Sequence, residues 1–496
     1  MRSWLGSAGC LALSLVTLTP AVALAGKAEV GGYLRVATRP DSQGGDGKLG
    51  YWNLHGRLLN EGPYAALEGK IDLLERRPGE IEPWASAHVK FEGGGVGNAE
   101  PSNGSLTQWR MSQLYVKSGN VGLKDFTWQV GTLDYYFGDL GLYDMRPAQI
   151  FFETVGLSGR YQTDTLDVVV GAGDSGYFMK GSEYNTVFTA GGAARVRLGR
   201  FFEIGGGGQL MREPEVGGNR YAPHYTPDVG YEDWLRGEVV EGFFSENNGT
   251  IEDFPDPVAT SAGSAKAIGY LGFGGFGPVR WNNFYINYQT LHPDNFTTET
   301  WQDEEVILYV TELTDERTQL NLGNELQLKV LPQRLDAVWG VLYGDYSDGD
   351  NSIAPSNHAR TFVSTVLRLQ AYVTPTVHLL AETSVAREVS KNGSAYREHI
   401  DSIFENTAGK TDSEGFEYGD TDTRETFQGK AGVVLSPLGT GVYTRPSLRL
   451  LYGVQISNQN NAFGNSFVET LDQYNDFGNV ERHTHHVLAL ETEVWF

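Results

Sequence analysis

The chain has 496 residues, 62 acidic against 38 basic side chains and a net charge of -24, with 63 glycines, 25 tyrosines, 24 phenylalanines and a hydrophobic share of only 40%. An acidic field of that size argues against nucleic acid or an anionic surface as a partner. One cysteine, Cys10, rules out a disulfide framework.

The N-terminus reads as a secretory signal over residues 1–25. Met1-Arg-Ser-Trp is followed by an apolar run from Leu11 to Leu24 that closes with Ala23-Leu24-Ala25. The run is short for a bilayer-spanning helix, and its small-x-small ending suits signal peptidase, so cleavage is expected after Ala25. Cys10 leaves with that segment, and Ser7-Ala8-Gly9-Cys10 lacks the leucine of a lipoprotein box. Residues 26–496 then form one domain without linkers. No later stretch approaches ~18 consecutive apolar residues, so any membrane crossing must be made by strands.

From Val30 onward the chain alternates apolar and polar residues between clusters of glycine, asparagine and aspartate, the pattern of successive hairpins. In Val30 to Thr38, Tyr33 and Arg35 share the polar face opposite Leu34 and Val36. In Tyr64 to Leu73, Tyr64 shares parity with Glu68, Lys70 and Asp72. Alternation lapses after Tyr135 within Gly131 to Gly159, and such a stretch cannot face lipid, where its backbone groups would go unpaired. It must cover the barrel or fold into it, and folding inward would set Asp139, Asp144 and Arg146 where a pore narrows. Phe201 to Leu210 carries Gly205-Gly-Gly-Gly208, which has no following lysine for a phosphate loop and suits close packing or a bulge.

In Trp281 to Thr290, Trp281 shares parity with Asn283, Asn287 and Gln289. Further strands are expected over Thr361 to Val373, Val377 to Ala386 and Ser447 to Ser457, the last preceded by Tyr443 and Arg445 at the parity of Arg449. Phe243 to Pro257 and Ser402 to Glu425 read as acidic outer loops. Thr374 to Thr376 and Pro437 to Thr440 read as tight turns on the other side. His483-Thr-His485-His486 reads as loop or interface rather than as a metal site, because no third ligand is identifiable. The chain ends in Val487 to Phe496, with Leu488, Leu490, Val494 and Phe496 on one face and Ala489, Glu491, Glu493 and Trp495 on the other. That alternation suits a wall between lipid and water, and also the last strand of a soluble sandwich. About 16 to 18 strands fit the length.

Aromatic rings on a wet face invite sugars, whose C–H faces stack on indole or phenol while their hydroxyls bond charged groups at the ring edge. Gly32-Tyr-Leu-Arg35, Arg57-Leu-Leu-Asn-Glu61 with Tyr64, Trp281-Asn-Asn-Phe284, Tyr443-Thr-Arg-Pro-Ser-Leu-Arg449 and Glu493-Val-Trp-Phe496 occur in the order found in the maltoporins. The sequence resembles that family of sugar-specific porins over most of the mature chain, patchily in its middle. The resemblance implies an all-β transmembrane antiparallel barrel of 18 strands with an inward-folded constriction loop, assembled as a homotrimer in a bacterial outer membrane among lipopolysaccharide. It implies an aromatic slide of Tyr33, Tyr64, Trp281, Tyr443 and Trp495. Arg35, Arg57 and Arg110, with Asp139 and Asp144, would bind sugar hydroxyls. Phe137 and Arg146 stand where the family has other constriction residues.

The expected function is facilitated diffusion of maltose, maltodextrins or related oligosaccharides, without catalysis, metal or cofactor. A general diffusion porin and a polysaccharide-export barrel are the alternatives. An outer-membrane hydrolase is the reading from another class, and no motif supports it.

Overall fold

The computed structural model describes residues 27–40, 49–50, 52–75, 82–93, 109–175, 186–213, 262–291, 296–301, 304–309, 317–347, 359–391, 423–458 and 483–496. The signal segment, Cys10, the loop Phe243 to Pro257 and most of Ser402 to Glu425 lie outside them. Thr423, Arg424 and Glu425 of that expected loop are already strand.

The first eleven wall strands are β1 (Ala28–Thr38), β2 (Tyr64–Leu74), β3 (Trp84–Gly93), β4 (Trp109–Gly119), β5 (Phe126–Tyr136), β6 (Gln149–Gln162), β7 (Leu166–Asp174), β8 (Phe188–Leu198), β9 (Phe202–Glu213), β10 (Ala262–Phe273) and β11 (Val279–Leu291). A small hairpin, β12 (Phe296–Trp301) and β13 (Glu304–Tyr309), precedes β14 (Arg317–Leu331). The wall continues through β15 (Leu335–Ser347), β16 (Arg360–Tyr372), β17 (Val377–Ser390), β18 (Thr423–Leu435), β19 (Ser447–Ser457) and β20 (Thr484–Trp495). Each wall strand pairs antiparallel with its neighbour in sequence, and β1 pairs with β20 from Tyr33↔Trp495 to Thr38↔Leu490. The result is a closed 18-stranded antiparallel barrel, the upper end of the range set by length.

The alternation read from the sequence sorts residues between two solvents. On β19, Leu448, Leu450, Tyr452 and Ile456 point outward and exposed, while Arg449, Leu451 and Gln455 are buried inside. On β20, Leu488 and Leu490 face out and Ala489, Glu491 and Glu493 face in. An apolar belt outside and charges within is the arrangement of a barrel that spans a membrane. Among the described residues no helix is long and apolar enough to cross one. Short turns such as 163–165, 199–201, 332–334 and 373–376 lie at the end where β1 begins and β20 ends, and the long connections lie at the other. The β4–β5 turn shows why such turns close: Asn120 and Asp125 adopt positive φ, and the Asn120 side-chain oxygen accepts from the Asp125 amide at 3.1 Å.

Three connections fill part of the lumen. Residues 49–63 carry the short helix α1 (Trp52–His55) and bury Leu49, Leu54, Leu58 and Leu59. Residues 137–148, between β5 and β6, bury Phe137, Leu140, Leu142 and Tyr143 in the largest core cluster, against Tyr270, Tyr285, Leu342 and Val366 of the wall. The β18–β19 connection, 436–446, adds Val442 and Tyr443. It is longer than the tight turn expected over Pro437 to Thr440 because its second half bends inward.

Entry of the β5–β6 hairpin is set at Gly131, whose φ is +116° and where a Cβ would collide with the Leu114 carbonyl. Up to Gly131, β5 pairs with β4; beyond it, β5 pairs with β6 alone and turns inward. The Thr132 hydroxyl takes over at the parting, accepting from the Leu114 amide at 3.0 Å and donating to its carbonyl at 3.3 Å. Wall glycines receive the loop. A Cβ at Gly323 would come within 2.6 Å of Leu140, and one at Gly340 within 2.7 Å of Tyr143. Gly205 faces Phe137, and β9 pairs without a register shift on both sides, so the glycine run serves close packing rather than a bulge.

Gly340→Val should therefore drive Tyr143 and Leu142 off the wall, at a cost of about 1–3 kcal/mol for overpacking. Thermal unfolding followed by circular dichroism in detergent should show a lower midpoint than for Gly263→Ala, where the only atom near the added Cβ is 3.7 Å away. Equal midpoints would show that the loop is not seated on this glycine.

Candidate functional site

At the seam between β1 and β20, Glu493 is enclosed by donors. It accepts from the Tyr33 hydroxyl at 2.6 Å and from Arg57 at 2.5 Å, pairs with Arg445 at 2.5 Å, and takes a further bond from Arg449. Arg57 comes from the inward segment 49–63, Arg445 from the β18–β19 connection and Arg449 from β19. Arg35 pairs with Glu61 and donates to the Gly62 carbonyl at 2.9 Å. Arg35 and Arg57 were expected to offer donors to a sugar; both are instead nearly buried and committed to protein carboxylates. A buried charge must be paired in this way, and single-residue parity cannot reveal that a carboxylate far along the chain arrives to do it.

The five expected slide aromatics fall into two groups. Tyr33 stands between Tyr64 and Trp495, with ring centroids 5.5 and 4.7 Å away. Tyr33 and Tyr64 are buried, and the Tyr64 hydroxyl donates to Glu92 at 2.9 Å; Trp495 is the exposed ring of the three. In the second group, Trp281 donates to Asn283 at 2.5 Å, and Tyr443 donates to Glu325 at 2.8 Å. Tyr443 does not share a strand face with Arg449 as parity suggested. It lies in the connection before β19, and a Cβ at Gly141 of the inward loop would come within 2.9 Å of its ring.

The inward loop is a small hairpin closed between Leu140 and Met145, with amide-to-carbonyl bonds of 2.8 and 3.3 Å. Asp144 takes a left-handed conformation at its apex, φ 52°, a region aspartate tolerates better than most residues. Wall side chains hold the loop by its backbone: Asn283 and Tyr285 donate to the Asp139 carbonyl, both at 3.2 Å, Asn287 to Pro147 at 2.7 Å, and the Leu142 amide donates to Glu325 at 2.8 Å. The Asp139, Asp144 and Arg146 side chains are thereby left exposed to the lumen. Phe137 is fully buried against Tyr270, so the expectation that it narrows the pore is corrected. Its position at the end of β5 aims it into the wall instead.

Burial pushes the Glu61 carboxyl up to about 7, against the pull of Arg35 and Arg57 and with the added repulsion of Asp144. Crowding by protein opposes ionisation of Asp144 too, but Arg57 and Arg35 outweigh it and hold that carboxyl below its ordinary value. The loop tip therefore carries one fixed negative charge beside one that appears only near neutrality. Burial, aided by Lys430 and Arg424, keeps His55 neutral between Ser384 and Thr426, at 2.9 and 2.6 Å.

The open part of the lumen runs along β2 to β6, where sequence reading named only Tyr64, at the start of β2, and Arg110. A cavity of 290 Å³ bordered by Lys70, His88, Lys117, Asp134 and Arg160 shares Lys117, Gln129 and Asp134 with one of 230 Å³ bordered by Glu68, Lys90, Tyr115, Tyr136 and Arg146. Arg110, on β4, pairs with Glu92 at 3.2 Å. The signal was present: Gln113, Tyr115 and Lys117 alternate with the outward Leu114 and Val116. Of the C-terminal histidines, His485 is buried inside and His486 meets Tyr452 on the outer face at 2.7 Å. Among the described residues no group of three potential ligands is placed to hold a metal.

No family model matches the chain, and no curated protein matches it. Among solved structures it is similar to Wzi of Escherichia coli, described as a carbohydrate-binding outer-membrane β-barrel involved in group 1 capsule assembly, at 12% identity over 100% of this chain and 90% of that one, TM-score 0.40. It is also similar to a variant of OccD1 (OprD), at 9% identity over 95% and 96% of the two chains, TM-score 0.41. A third is the outer-membrane channel DcaP of Acinetobacter baumannii, at 10% identity over 95% and 97%, TM-score 0.34. At these values the similarities carry no argument about what this chain does.

Two outcomes follow from the charges at the site. Arg57→Met strips a partner from the buried Glu493 and should destabilise the barrel by about 3–5 kcal/mol, whereas Arg110→Met, at a half-exposed pair, should cost about 1 kcal/mol or less in the same thermal assay. Because Glu61 is neutral below about pH 7 and anionic above it, reversal potentials should move toward cation preference between pH 6 and pH 8. That movement should vanish in Glu61→Gln; a variant that titrates like the parent would assign the charge elsewhere.

Proposed function

We propose that the chain is a diffusion channel of a bacterial outer membrane, exported by a signal ending at Ala25 and specific for sugar-sized solutes, with maltose and maltodextrins the first candidates. The observation that carries this reading is the eccentric passage. Three inward connections fill one side of the lumen and leave two contiguous cavities along β2 to β6, each just under the size of ordinary small-ligand pockets. A passage bordered by tyrosines and charged side chains suits solutes that present both C–H faces and hydroxyls. The order of short maltoporin-like segments supports the sugar reading and a homotrimer among lipopolysaccharide. Within that reading, Trp495 and Trp281 supply the ring faces, and Arg110, Asp139, Asp144 and Arg146 the hydroxyl partners. Arg35, Arg57, Tyr33 and Tyr64 act beneath them as supports. Passage needs weak binding and no bond chemistry, since a tight site would trap its solute.

The burial of Arg35 and Arg57 favours a second reading, a channel that sorts solutes by size without a sugar site. Planar-bilayer conductance, titrated with maltose through maltohexaose, separates the two. Current block that saturates, tightens with glucan length and weakens about tenfold in a Trp495→Ala, Trp281→Ala double variant is expected. Open channels indifferent to every glucan would leave the unspecific channel.

A further inference from the structure

The ion pairs along the open passage share one orientation, except Lys70–Glu29, where the carboxylate is the more exposed partner at 43% against 34%. In each of Lys70–Asp72, Lys90–Glu92, Arg110–Glu92, Arg146–Asp134 and Arg160–Asp167, the cation is the more exposed partner and the carboxylate is recessed into the wall. The extremes are Arg160, 33% exposed over an Asp167 that is 1% exposed, and Arg110, 44% exposed over a Glu92 that is 7% exposed. Lys117 makes no ion pair among the described residues and rests over the Tyr115 ring at 4.8 Å. The Arg146 guanidinium lies over Tyr136 at 4.3 Å and reaches Asp134 only at 3.9 Å, while Asp134 is held by Gln149 at 2.7 Å.

Register orders these cations along the barrel axis. Glu92 faces Arg110 and Lys90 faces Gln113 across β3 and β4; then Ser86 faces Lys117, Lys117 faces Gln129, and Thr127 faces Arg160 nearest the short turns. A solute moving from the long-loop end to the short-turn end therefore meets ammonium and guanidinium groups in succession, inside a chain whose net charge is -24. Among the described residues the exposed acids of the passage are Glu29, held between Lys27 and Lys70 at 2.8 and 3.3 Å, Glu68, which borders the second cavity, and Asp139 and Asp144. The Asp144 carboxylate lies in the field of Arg57 and Arg35 on the seam side, and Asp139 is anchored toward β11. Paired sites of zero net charge still present a positive surface when their anions are withdrawn, and low-dielectric walls focus that potential on the passage.

We propose that this passage selects anionic solutes, namely carboxylate-bearing molecules of monosaccharide size, with Lys117 and Arg146 as the cations that receive the carboxylate. Arg146 offers a planar fork for two-point contact, and Lys117 a point charge with donors unclaimed by any carboxylate. The inference rests on the channel reading alone and departs from its neutral glucan candidates by assigning the solute a negative charge.

The test is ion and solute selectivity of the full chain in planar bilayers at pH 8, where Glu61 is ionised and opposes the effect. In a tenfold potassium chloride gradient, reversal potentials should give a chloride-to-potassium permeability ratio above 1, falling at least threefold in Lys117→Gln, Arg146→Gln. Galacturonate should block the parent's current at concentrations where galactose, its neutral counterpart, does not. An open parent channel that prefers potassium, or that galactose blocks as well as galacturonate, would overturn the proposal and leave a channel for neutral solutes. Absence of any conductance would overturn the channel reading and this inference with it. The parent's measurements decide the matter even if the double variant fails to fold.

Discussion

A peptide group that faces hydrocarbon has no water to bond, so its partner must come from the protein, and this requirement governs the barrel and every departure from it. Closure of β1 onto β20 removes the sheet's free edges. The same rule explains how β5 leaves the wall: it goes inward as a hairpin still bonded to β6, and the Thr132 hydroxyl meets both backbone groups of Leu114 where the strands part. Inside, polar wall side chains hold the loop by its backbone, through Asn283, Tyr285, Asn287 and Glu325. The irregular stretch survives because it lies where partners exist.

Charge is handled differently on the two sides of the inward loop. On the seam side, Glu493 is surrounded by three arginines and a tyrosine from four parts of the chain, and these charges are tied to one another and act as structure. On the other side, Arg110 and Arg160 outreach their carboxylates and stay wet. The leucines and tyrosine of the loop separate these environments, and the glycines opposite them let the loop sit close enough to do so. Burial therefore distinguishes residues that hold the barrel together from residues that face its open lumen.

Much of the fold was legible because alternation is a local property. Parity placed Leu448 and Leu450 outside and Arg449 and Gln455 inside, and the lapse of alternation after Tyr135 marked the inward loop. What parity cannot report is which polar residue meets which. Arg57 looked like a donor awaiting a ligand until Glu493 arrived from the far end of the chain. Tyr443 kept the parity of Arg449 but is not in its strand, because the connection before β19 bends inward. Phe137 follows a strand that has already left the wall, so its side chain enters the core rather than the pore. Residues 49–63 gave no periodic signal of their inward course, since their burial depends on glycines and polar groups of β16 to β19 that only assembly brings near.

Every strand pairing in the wall except one joins consecutive wall strands, and the exception spans almost the whole molecule: Tyr33 and Glu493 are 460 residues apart. Loop-closure entropy makes that contact the most expensive to form and so the last to be made. Until then Glu493 has Arg445 and Arg449 nearby, but neither Arg57 nor Tyr33. Its full set of donors exists only when the first hairpin has reached the final strand. The seam thus couples dehydration of one carboxylate to completion of the sheet, and a chain arrested before closure keeps both an open edge and a hydrated charge that disfavours burial in lipid.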